Sequence, residues 1–498
     1  MAIQNITPQT TVYLCWDVPL DNSYTDTLTF INSTAQLDYF KKKTKYKLEN
    51  LSPVGIDTHI RVPRPADELY DCNYIVIQNG NFSAKHLYGF ITRIEYVNVN
   101  VCNVYFEIDV MQTWQFNMIV GECTVLREHV QSDNIGEHTV PEPSHAIQFY
   151  KYLYSGASGY FNPSNFYIIV ASNYSGTDSV IGDLKGGVFS GLKYFYFLPT
   201  EIEKLNTFLS NMLELGKEDS IINIFMYPYD FFPSGNSAVE KVLKLSKSLY
   251  ITELDGYIPK NNKMLCYPYN MLNVENGCGD ERDLRLELYN TDTNGNLEFS
   301  IYGTISNNPC VIGMPKNYGG LTYDTKNILE LSNFPLCSWS SDTFKAYVAQ
   351  NATSLASNLI TSVSKNPITT ATNLTTMGSE FAKNVIAPDF KTFGSYNGSN
   401  TKFAAGLMDF RFRKKCISAE YARIFDEDLT RYGYTVNVVK KPNIKGRAFW
   451  NYVKTQGANI TGAIPFNDLS KIKTIFDSGI TFWHSDVVGD YSKDNKIM

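Results

Sequence analysis

Charged residues are scarce in this sequence of 498 residues, because Asp, Glu, Lys and Arg together make up only 19% of it. The 44 basic residues are outnumbered by 50 acidic ones, which gives a net charge of −6. Tight binding of nucleic acid needs clustered cations that displace counterions from phosphates, so this balance argues against it. Transient passage of DNA along the protein stays open.

Long apolar runs and paired cysteines are also missing. No run of 18 apolar residues occurs, which excludes an ordinary transmembrane helix. The first residues lack the basic and apolar stretches of a secretory signal. The nine cysteines are scattered without a Cys-x-x-Cys pair, which is typical of a protein made in a reducing cytosol. We therefore expect neither a secretory signal nor a disulfide framework.

Aromatic residues, in contrast, are abundant: 34 tyrosines, 30 phenylalanines and 5 tryptophans. With a hydrophobic content of 43%, they supply material for more than one core and exclude general disorder. A chain of this length is expected to form about two to four domains.

Alternation of apolar and polar residues predicts a mainly β (α+β) fold. Residues 97–101 and 104–110 alternate in this way, and the short break at 102–103 indicates a hairpin. Tyr, Phe, Ile and Val enrichment, which suits a half-buried sheet, predicts further strands at residues 74–78, 166–171, 194–198, 221–227, 284–289, 297–302 and 434–439.

A few short helices are predicted from apolar stripes, and each stripe ends at a glycine. Thr200 and Glu203 have the spacing of a capping box at the start of the first helix, and Asn467 is a candidate N-cap of the third. The predicted helices cover residues 200–216, 417–433 and 467–479.

One late segment is almost free of charge, since Lys365 is the only charged residue between Ala346 and Ser379. Its apolar residues recur every three or four positions, which predicts an amphipathic helical hairpin. The hairpin is either an ordinary helix pair packed on a core or a segment that later enters a bilayer. Inserting a charged residue into a bilayer costs about 2.5–3.5 kcal/mol, so the low charge favours the second alternative. The candidate membrane-active residues are Phe344, Tyr347, Val348, Leu355, Leu359, Ile360, Val363, Leu374, Met377, Phe381 and Val385.

Motifs for chemistry are few. Two glutamate–histidine pairs and a nearby histidine offer metal ligands, but they lack the one-turn helical spacing of a zinc motif. These are Glu128-His129, Glu137-His138 and His145. Residues 290–295 imitate the start of a calcium loop, but the twelfth position is Ile301, so a hairpin turn is the simpler interpretation. No metal, cofactor or catalytic residue is expected.

Two basic clusters lie at residues 41–47 and 411–415. Clusters of this kind usually form a solvated face of the protein. We interpret both as solvated or inter-subunit faces in preference to DNA contacts.

Six strings of residues, taken together, carry a family resemblance. They lie at residues 13–20, 106–114, 127–130, 432–434, 450–455 and 479–484, so they bracket nearly the whole chain. The set resembles the tail knob (distal tail tube) proteins of small short-tailed bacteriophages of the Picovirinae type. Matching motif residues, with an implied structural role, are Asp109, Gln112, Thr113, Trp114, Trp450, Asn451, Tyr452, Lys454, Trp483 and His484.

The resemblance implies tail-tube-like β-barrel or sandwich domains, six copies of which form a hollow knob for genome ejection. It also implies a late mobile loop, at residues 344–401, that plugs the tube and inserts into the host membrane. Residues 1–130 and 406–498 are expected to share the tube, with outer domains at 131–340 and the inserted loop at 341–405.

The implied partners are five further copies in a homo-hexamer, other tail and lower collar proteins, viral DNA in the lumen and the host cell membrane. The implied location is the virion, after assembly in the host cytoplasm. Two other classes stay open: a cell-wall glycan hydrolase that uses two carboxylates, and a receptor-binding adhesin whose aromatic rings stack on sugars.

Overall fold

The chain forms two compact units, in the first of which its two ends fold together. The computed structural model describes residues 9–51, 59–80, 85–143, 150–154, 166–175, 180–184, 188–232, 239–276, 280–305, 309–319, 329–331, 336–337 and 410–498. The first unit consists of Met1–Ala146, Lys260–Lys263 and Arg423–Met498, and the second of Ile147–Pro259 and Met264–Ala422.

Strands dominate both units. The first nine are β1 (Thr10–Trp16), β2 (Asp26–Leu28), β3 (Thr44–Leu51), β4 (His59–Val62), β5 (Cys72–Asn79), β6 (His86–Asn98), β7 (Val101–Ile108), β8 (Met118–Val120) and β9 (Cys123–Glu128). The next seven are β10 (Tyr150–Tyr154), β11 (Phe166–Ser172), β12 (Val180–Leu184), β13 (Val188–Phe197), β14 (Ile221–Pro228), β15 (Val239–Ser246) and β16 (Asn270–Glu275). The remaining strands are β17 (Glu281–Leu284), β18 (Asn296–Thr304), β19 (Cys310–Lys316), β20 (Leu329–Leu331), β21 (Leu336–Cys337), β22 (Arg411–Ile417), β23 (Tyr434–Lys440), β24 (Trp450–Gln456), β25 (Ile460–Gly462) and β26 (Ile480–Trp483).

Helices in the described residues are few and short. They are α1 (Ser33–Lys42), α2 (Val110–Trp114), α3 (Ile202–Glu214), α4 (Ala419–Tyr432) and α5 (Phe466–Ser478). The mainly β prediction is therefore confirmed.

A six-stranded antiparallel sheet in the first unit has the order β3-β1-β5-β6-β7-β4. Its inward positions are apolar and form a core that includes Val12, Leu14, Ile75 and Val104. The sheet is curled, as shown by its two edge strands β3 and β4, whose Cα atoms approach within 8 Å of each other. Within the described residues no ladder joins these edges, so the curl stops short of a closed barrel.

A second sheet of the first unit, in the order β2-β26-β24-β9-β23, takes strands from both ends of the chain. The N-terminal strand β2 lies parallel to β26, and Leu28 is opposite Trp483. Helix α5 packs on β24 and places Ile472 and Phe476 in the core beside Trp450. These pairings bring sequence-distant segments into one core.

The second unit surrounds one continuous apolar core with three sheets. Their orders are β12-β13-β11-β14-β21, β10-β22-β16-β17 and β15-β18-β19-β20. Fully buried residues from all three contribute, including Ile169, Leu272 and Ile301. Helix α3 covers β13, where the rings of Phe208 and Phe195 lie 4.5 Å apart.

Most predicted strands are confirmed, but two details are wrong. The hairpin of β6 and β7 turns at residues 99–100, not at 102–103, because Val101 already pairs with Asn98. The predicted strand at residues 284–289 is a 3-10 turn over Leu286–Leu288 that follows β17. Leu286 is buried in the common core and Leu288 packs against it, so the pattern over these residues indicates burial and not strand pairing.

The predicted helices are present with different starts. A 3-10 turn, Pro199–Glu201, precedes α3, and Glu201 accepts a hydrogen bond from the Leu198 backbone amide, so the predicted capping box is wrong. Helix α5 begins at Phe466 after Pro465, so Asn467 lies inside the helix. The predicted helix ends at Gly433 and Gly479 are confirmed, because each glycine directly follows the last helical residue and has a positive φ.

The calcium-like stretch is a turn whose acceptors are already satisfied. Asp292 accepts hydrogen bonds of 2.9 Å from the backbone amides of Asn294 and Asn296, and Lys244 lies 3.0 Å from its carboxylate. The turn leads into β18, which pairs with β15 and β19. The expected hairpin between residues 284–289 and 297–302 is therefore wrong.

Candidate functional site

Asp109, the first of the motif residues, caps helix α2. One carboxylate oxygen accepts hydrogen bonds from the backbone amides of Met111 (3.0 Å) and Gln112 (3.1 Å), and the other accepts one from the Tyr74 hydroxyl (2.8 Å). Burial raises the pKa of Asp109 to about 6, against the opposing effect of these hydrogen bonds. The cap fixes where the chain leaves β7 and enters the helix.

Gln112 joins three elements of the first unit. Its side-chain amide donates to the Thr27 hydroxyl (2.9 Å) and to the Leu28 carbonyl (2.7 Å). The side-chain amide of Gln36, on α1, in turn donates to the side-chain oxygen of Gln112 at 2.9 Å. All of these groups are buried, so Gln112 links α1, β2 and α2 through bonds that water cannot replace.

Thr113 and Trp114 extend the same network. The Thr113 hydroxyl accepts from the Tyr88 backbone amide at 3.0 Å. The indole of Trp114 donates to the Asp468 carboxylate in α5 at 2.7 Å, and the Lys85 ammonium lies 3.2 Å from its ring centre. Trp114 therefore ties the N-terminal half of the unit to its C-terminal helix.

Trp450 and Trp483 are opposite each other on neighbouring strands β24 and β26, with ring centres 5.3 Å apart. Both are fully buried, yet each indole N–H has a partner. Trp483 donates to the Asp26 carboxylate at 2.6 Å, and Trp450 donates to the Thr430 carbonyl at 3.0 Å. The pair closes the core where β2 meets the C-terminal strands.

Asn451 and His484 form a polar link beside this pair. Nε2 of His484 lies 3.0 Å from the Asn451 side-chain oxygen, and Nδ1 lies 2.7 Å from the Thr29 hydroxyl. The Asn451 amide donates to the Asn443 carbonyl at 3.0 Å. Burial, followed by the charge of Lys445, lowers the pKa of His484 to about 4, so this link is built on a neutral imidazole.

His129, a candidate metal ligand in the sequence, has both ring nitrogens occupied by backbone. The Tyr452 amide donates to Nδ1 at 2.7 Å, and Nε2 lies 3.0 Å from the Thr430 carbonyl, which can only accept. Burial lowers the pKa of His129 to about 3. The motif residue Lys454, on the paired strand β24, is partly exposed and lies opposite Arg127. His129 is thus a structural residue in this fold.

The other candidate histidines do not complete a metal site within the described residues. His138 lies with Nε2 2.8 Å from the Ser132 carbonyl, and His145 is outside the described residues. Among the described residues no group of three or more His, Cys, Asp or Glu side chains could hold a metal ion.

A buried ion pair was not found by sequence reasoning. Lys263 and Glu142 are in contact with both side chains almost fully buried, and Glu142 also accepts from the backbone amide (2.8 Å) and hydroxyl (2.6 Å) of Thr435. Burial raises the pKa of Glu142, but the Lys263 charge and these hydrogen bonds outweigh it and hold the pKa below its usual value. No local pattern signals such a pair, because its members lie 121 positions apart.

The segment Lys260–Lys263 is anchored beside this pair. The Asp426 carboxylate accepts from the backbone amides of Lys260 (2.7 Å) and Asn261 (3.1 Å). The Tyr434 hydroxyl donates to Asp133 at 2.7 Å, and Asp133 accepts from the Asn262 backbone amide at 3.0 Å. Hydrogen bonds from its backbone amides to these carboxylates thus hold the four-residue segment in the first unit.

The two basic clusters differ from each other. At residues 41–47 the lysines are exposed or paired at the surface, as in Lys45 with Asp71 at 2.8 Å, which agrees with a solvated face. On β22, Lys414 and Lys415 are buried, and Arg413 lies 2.6 Å from Glu275. The solvated interpretation is therefore wrong for Lys414 and Lys415, because Lys414 donates to the Glu253 carbonyl and Lys415 to the Asp283 carboxylate.

Comparison with known proteins shows to which family the chain belongs. A family model described as the C-terminal domain of tail knob protein gp9 of Bacillus phage phi29 matches residues 230–401 and 390–496, which is more than half of the chain. A second model, the N-terminus of caudoviral major tail proteins, matches residues 8–119. The chain belongs to the phi29 gp9 tail knob family.

The similarity to individual relatives extends over nearly the full length of the chain. The chain is 27% identical to tail knob protein gp9 of Bacillus phage PZA and to that of Bacillus phage phi29, over 98% of both partners in each case. The solved structure of the bacteriophage C1 tail knob protein gp12 has a similar fold, with a TM-score of 0.61 and 15% identity, covering 98% of this chain and all of that one. The resemblance is confirmed, and the protein is a structural component of the tail of a short-tailed phage.

The strings that carry the resemblance all fall within the first unit of this tail knob protein. All ten motif residues lie there: nine have the contacts described above, and the tenth, Lys454, has a defined strand position. The candidate membrane-active residues, from Phe344 to Val385, are outside the described residues. Every helix in the described part of the chain is too short or too polar to cross a bilayer.

Proposed function

We propose that six copies of this tail knob protein form a hollow ring through which the phage genome leaves the virion. Residues 1–130 and 406–498 supply the tube, and residues 131–340 lie around it. The ring assembles in the host cytoplasm and joins the lower collar and other tail proteins. The work is mechanical and needs no bond-making step, in keeping with relatives that are named for a part of the tail.

The observation that carries the ring is an unpartnered edge strand. Within the described residues β23 forms a ladder only with β9, so no strand pairs with its other edge, although the Thr435 amide near the start of the strand is bonded to Glu142. Val438 is exposed on this strand, and Val439 keeps 72% of its surface exposed. Open edges with apolar side chains pair with other chains, and a closed ring of identical subunits satisfies every edge.

Charge supports a conduit in preference to a DNA clamp. Each subunit carries a net charge of −6, so a ring of six is strongly acidic. If part of this charge faces the lumen, it repels phosphates and keeps the DNA moving.

Light scattering on the purified protein tests the ring. We expect a particle of about six subunit masses, and we expect Val438→Asp with Val439→Asp to reduce it to the subunit mass of 56.4 kDa. Ile31→Asp is the matched control, because Ile31 is 92% exposed and lies outside a strand. A wild-type particle isolated from virions that has the subunit mass contradicts the ring.

We also propose that residues 344–401 plug the tube and insert into the host membrane after release. The support is the sequence alone: between Ala346 and Ser379 the segment has one charge, Lys365, so the free-energy cost of moving this part into hydrocarbon is low. The family model matches across this segment in two overlapping stretches, so it is part of the family pattern.

Dye release from liposomes tests the membrane step. Deletion of residues 344–401 should leave the particle mass unchanged and abolish release. Leu355→Lys with Leu359→Lys should have the same effect, while Ser354→Lys with Ser357→Lys adds equal charge on polar positions and should retain release. Undiminished release by the deletion variant excludes the assignment.

A further inference from the structure

Four aromatic rings form a contiguous surface at one margin of the five-stranded sheet of the second unit. Tyr167 on β11 is at their centre, with ring-centre distances of 5.2 Å to Tyr196, 5.0 Å to Tyr229 and 4.9 Å to Phe232. Tyr196 and Phe232 are 4.6 Å apart. We refer to these four residues as the aromatic platform.

The platform is fixed in place but open to solvent. Phe232 is its buried member, whereas Tyr196 is 43% and Tyr229 47% exposed. The Tyr167 hydroxyl is hydrogen-bonded to Tyr229, and burial raises the pKa of Tyr167 to about 12. Contiguous exposed aromatic surface of this kind marks a site of interaction.

The charges at the rim of the platform cancel. Glu201, which acts electrostatically on Tyr167, is paired with Lys204 at 2.6 Å. Asp230, in the same turn as Tyr229, is paired with Lys241 at 3.1 Å. A platform for single-stranded nucleic acid needs an excess of cations for the phosphates, and here each lysine faces a carboxylate.

We infer that the aromatic platform binds a neutral polysaccharide. The apolar face of a sugar ring stacks on Tyr196 and Tyr229, while the sugar hydroxyls donate to the carboxylates and accept from the ammonium and phenol groups at the rim. Rigid aromatic surface with a few polar groups around it is the usual composition of a small-molecule site. This binding activity is separate from genome conduction and does not depend on the ring.

The experiment uses the full chain and three probes: linear oligosaccharides of glucose, of galactose and of N-acetylglucosamine. Titration calorimetry should detect binding of at least one of them by the wild type. Tyr196→Ala with Tyr229→Ala should weaken that binding about tenfold or more, because two stacked rings are lost. Tyr196→Phe with Tyr229→Phe keeps the rings and should retain binding, and Tyr70→Ala, an exposed tyrosine of the first unit, is the neutral control.

Hydrogen exchange on the wild type gives a second measurement that does not depend on the folding of a variant. The bound oligosaccharide should slow exchange at residues 194–197 and 229–232 and leave the first unit unchanged. Failure of all three probes to bind, or equal binding by the alanine variant, overturns the inference. Two other outcomes also overturn it: platform-dependent binding of oligothymidine, or a lower particle mass of the alanine variant without glycan binding by the wild type.

Discussion

Both units of the molecule have apolar cores, and the first adds buried polar links between its N-terminal and C-terminal segments. In the first unit, sequence-distant segments are joined by buried polar side chains such as Asp109, Gln112 and Asn451. In the second unit, three sheets share one continuous apolar core that runs from Ile168 to Phe412. The six strings that carry the resemblance lie in the first unit, whereas the family model also matches much of the second.

The difference indicates why one unit can be recognised from short strings. A buried hydrogen bond requires a particular donor and acceptor at a particular place, so replacement leaves a polar group without its partner. An apolar core accepts other residues provided that volume and pattern are kept. We therefore expect polar positions of the first unit to be sensitive to conservative change and apolar positions of the second to be tolerant.

Removal of the buried carboxylate of Glu142 should have the largest effect. Glu142→Ala takes away the counter-charge of the buried Lys263 ammonium and the acceptor of the Thr435 amide. We expect a loss of about 3–5 kcal/mol of unfolding free energy, confined to the first unit. Hydrogen exchange on peptides of each unit measures it. Lys47→Ala, which breaks the exposed pair with Glu49, is the control and should change nothing measurable; a similar effect of both variants would remove the contrast.

Acidification should destabilise the first unit next most strongly. The pKa values of buried His129 (about 3) and His484 (about 4) lie below the unfolded value near 6.5, so their contribution is lost as the pH falls below 6.5. Asp109, with its pKa raised to about 6, acts oppositely and stabilises the fold as the pH falls from 6 to 4. For these three groups the net loss is roughly 4 kcal/mol between pH 7 and pH 4. Urea unfolding at several pH values checks this, and His129→Gln should flatten the dependence.

Replacement of Gln112 by methionine keeps the volume but removes its hydrogen bonds. The Thr27 hydroxyl and the Gln36 amide then lose a buried partner. We expect a loss of about 1–3 kcal/mol in the first unit. Unfolding by urea measures it, and a neutral result would show that shape alone suffices there.

The smallest effect should come from a volume change in the core of the second unit. Ile168→Val removes one methylene from a residue that is buried in the shared core. The expected loss is about 0.5–1.5 kcal/mol, less than that of Gln112→Met if polar positions are the sensitive ones. Thermal unfolding compares the two variants, and the reverse order would contradict the distinction between the units.

Sequence reasoning succeeded where local chemistry decides the outcome. Period-2 alternation predicted β6 and β7, and the stops at Gly433 and Gly479 were predicted because only a residue that tolerates a positive φ ends these helices in this way. It failed where a distant partner decides. The alternating residues 284–289 looked like a strand, yet only Leu284 is in one, and the 3-10 turn over Leu286–Leu288 packs into the core that the three sheets share.

The sequence by itself determined the mainly β class, the approximate elements and the phage tail knob family, since these depend on short-range periodicity and on strings of residues. Only the tertiary structure decided that β2 joins the C-terminal strands, that Lys414 and Lys415 are buried among carboxylates and carbonyls, and that Tyr167, Tyr196, Tyr229 and Phe232 form one surface. Each of these contacts joins residues far apart in the chain. Local propensity carries no information about such partners, because they meet only when the sheets pack.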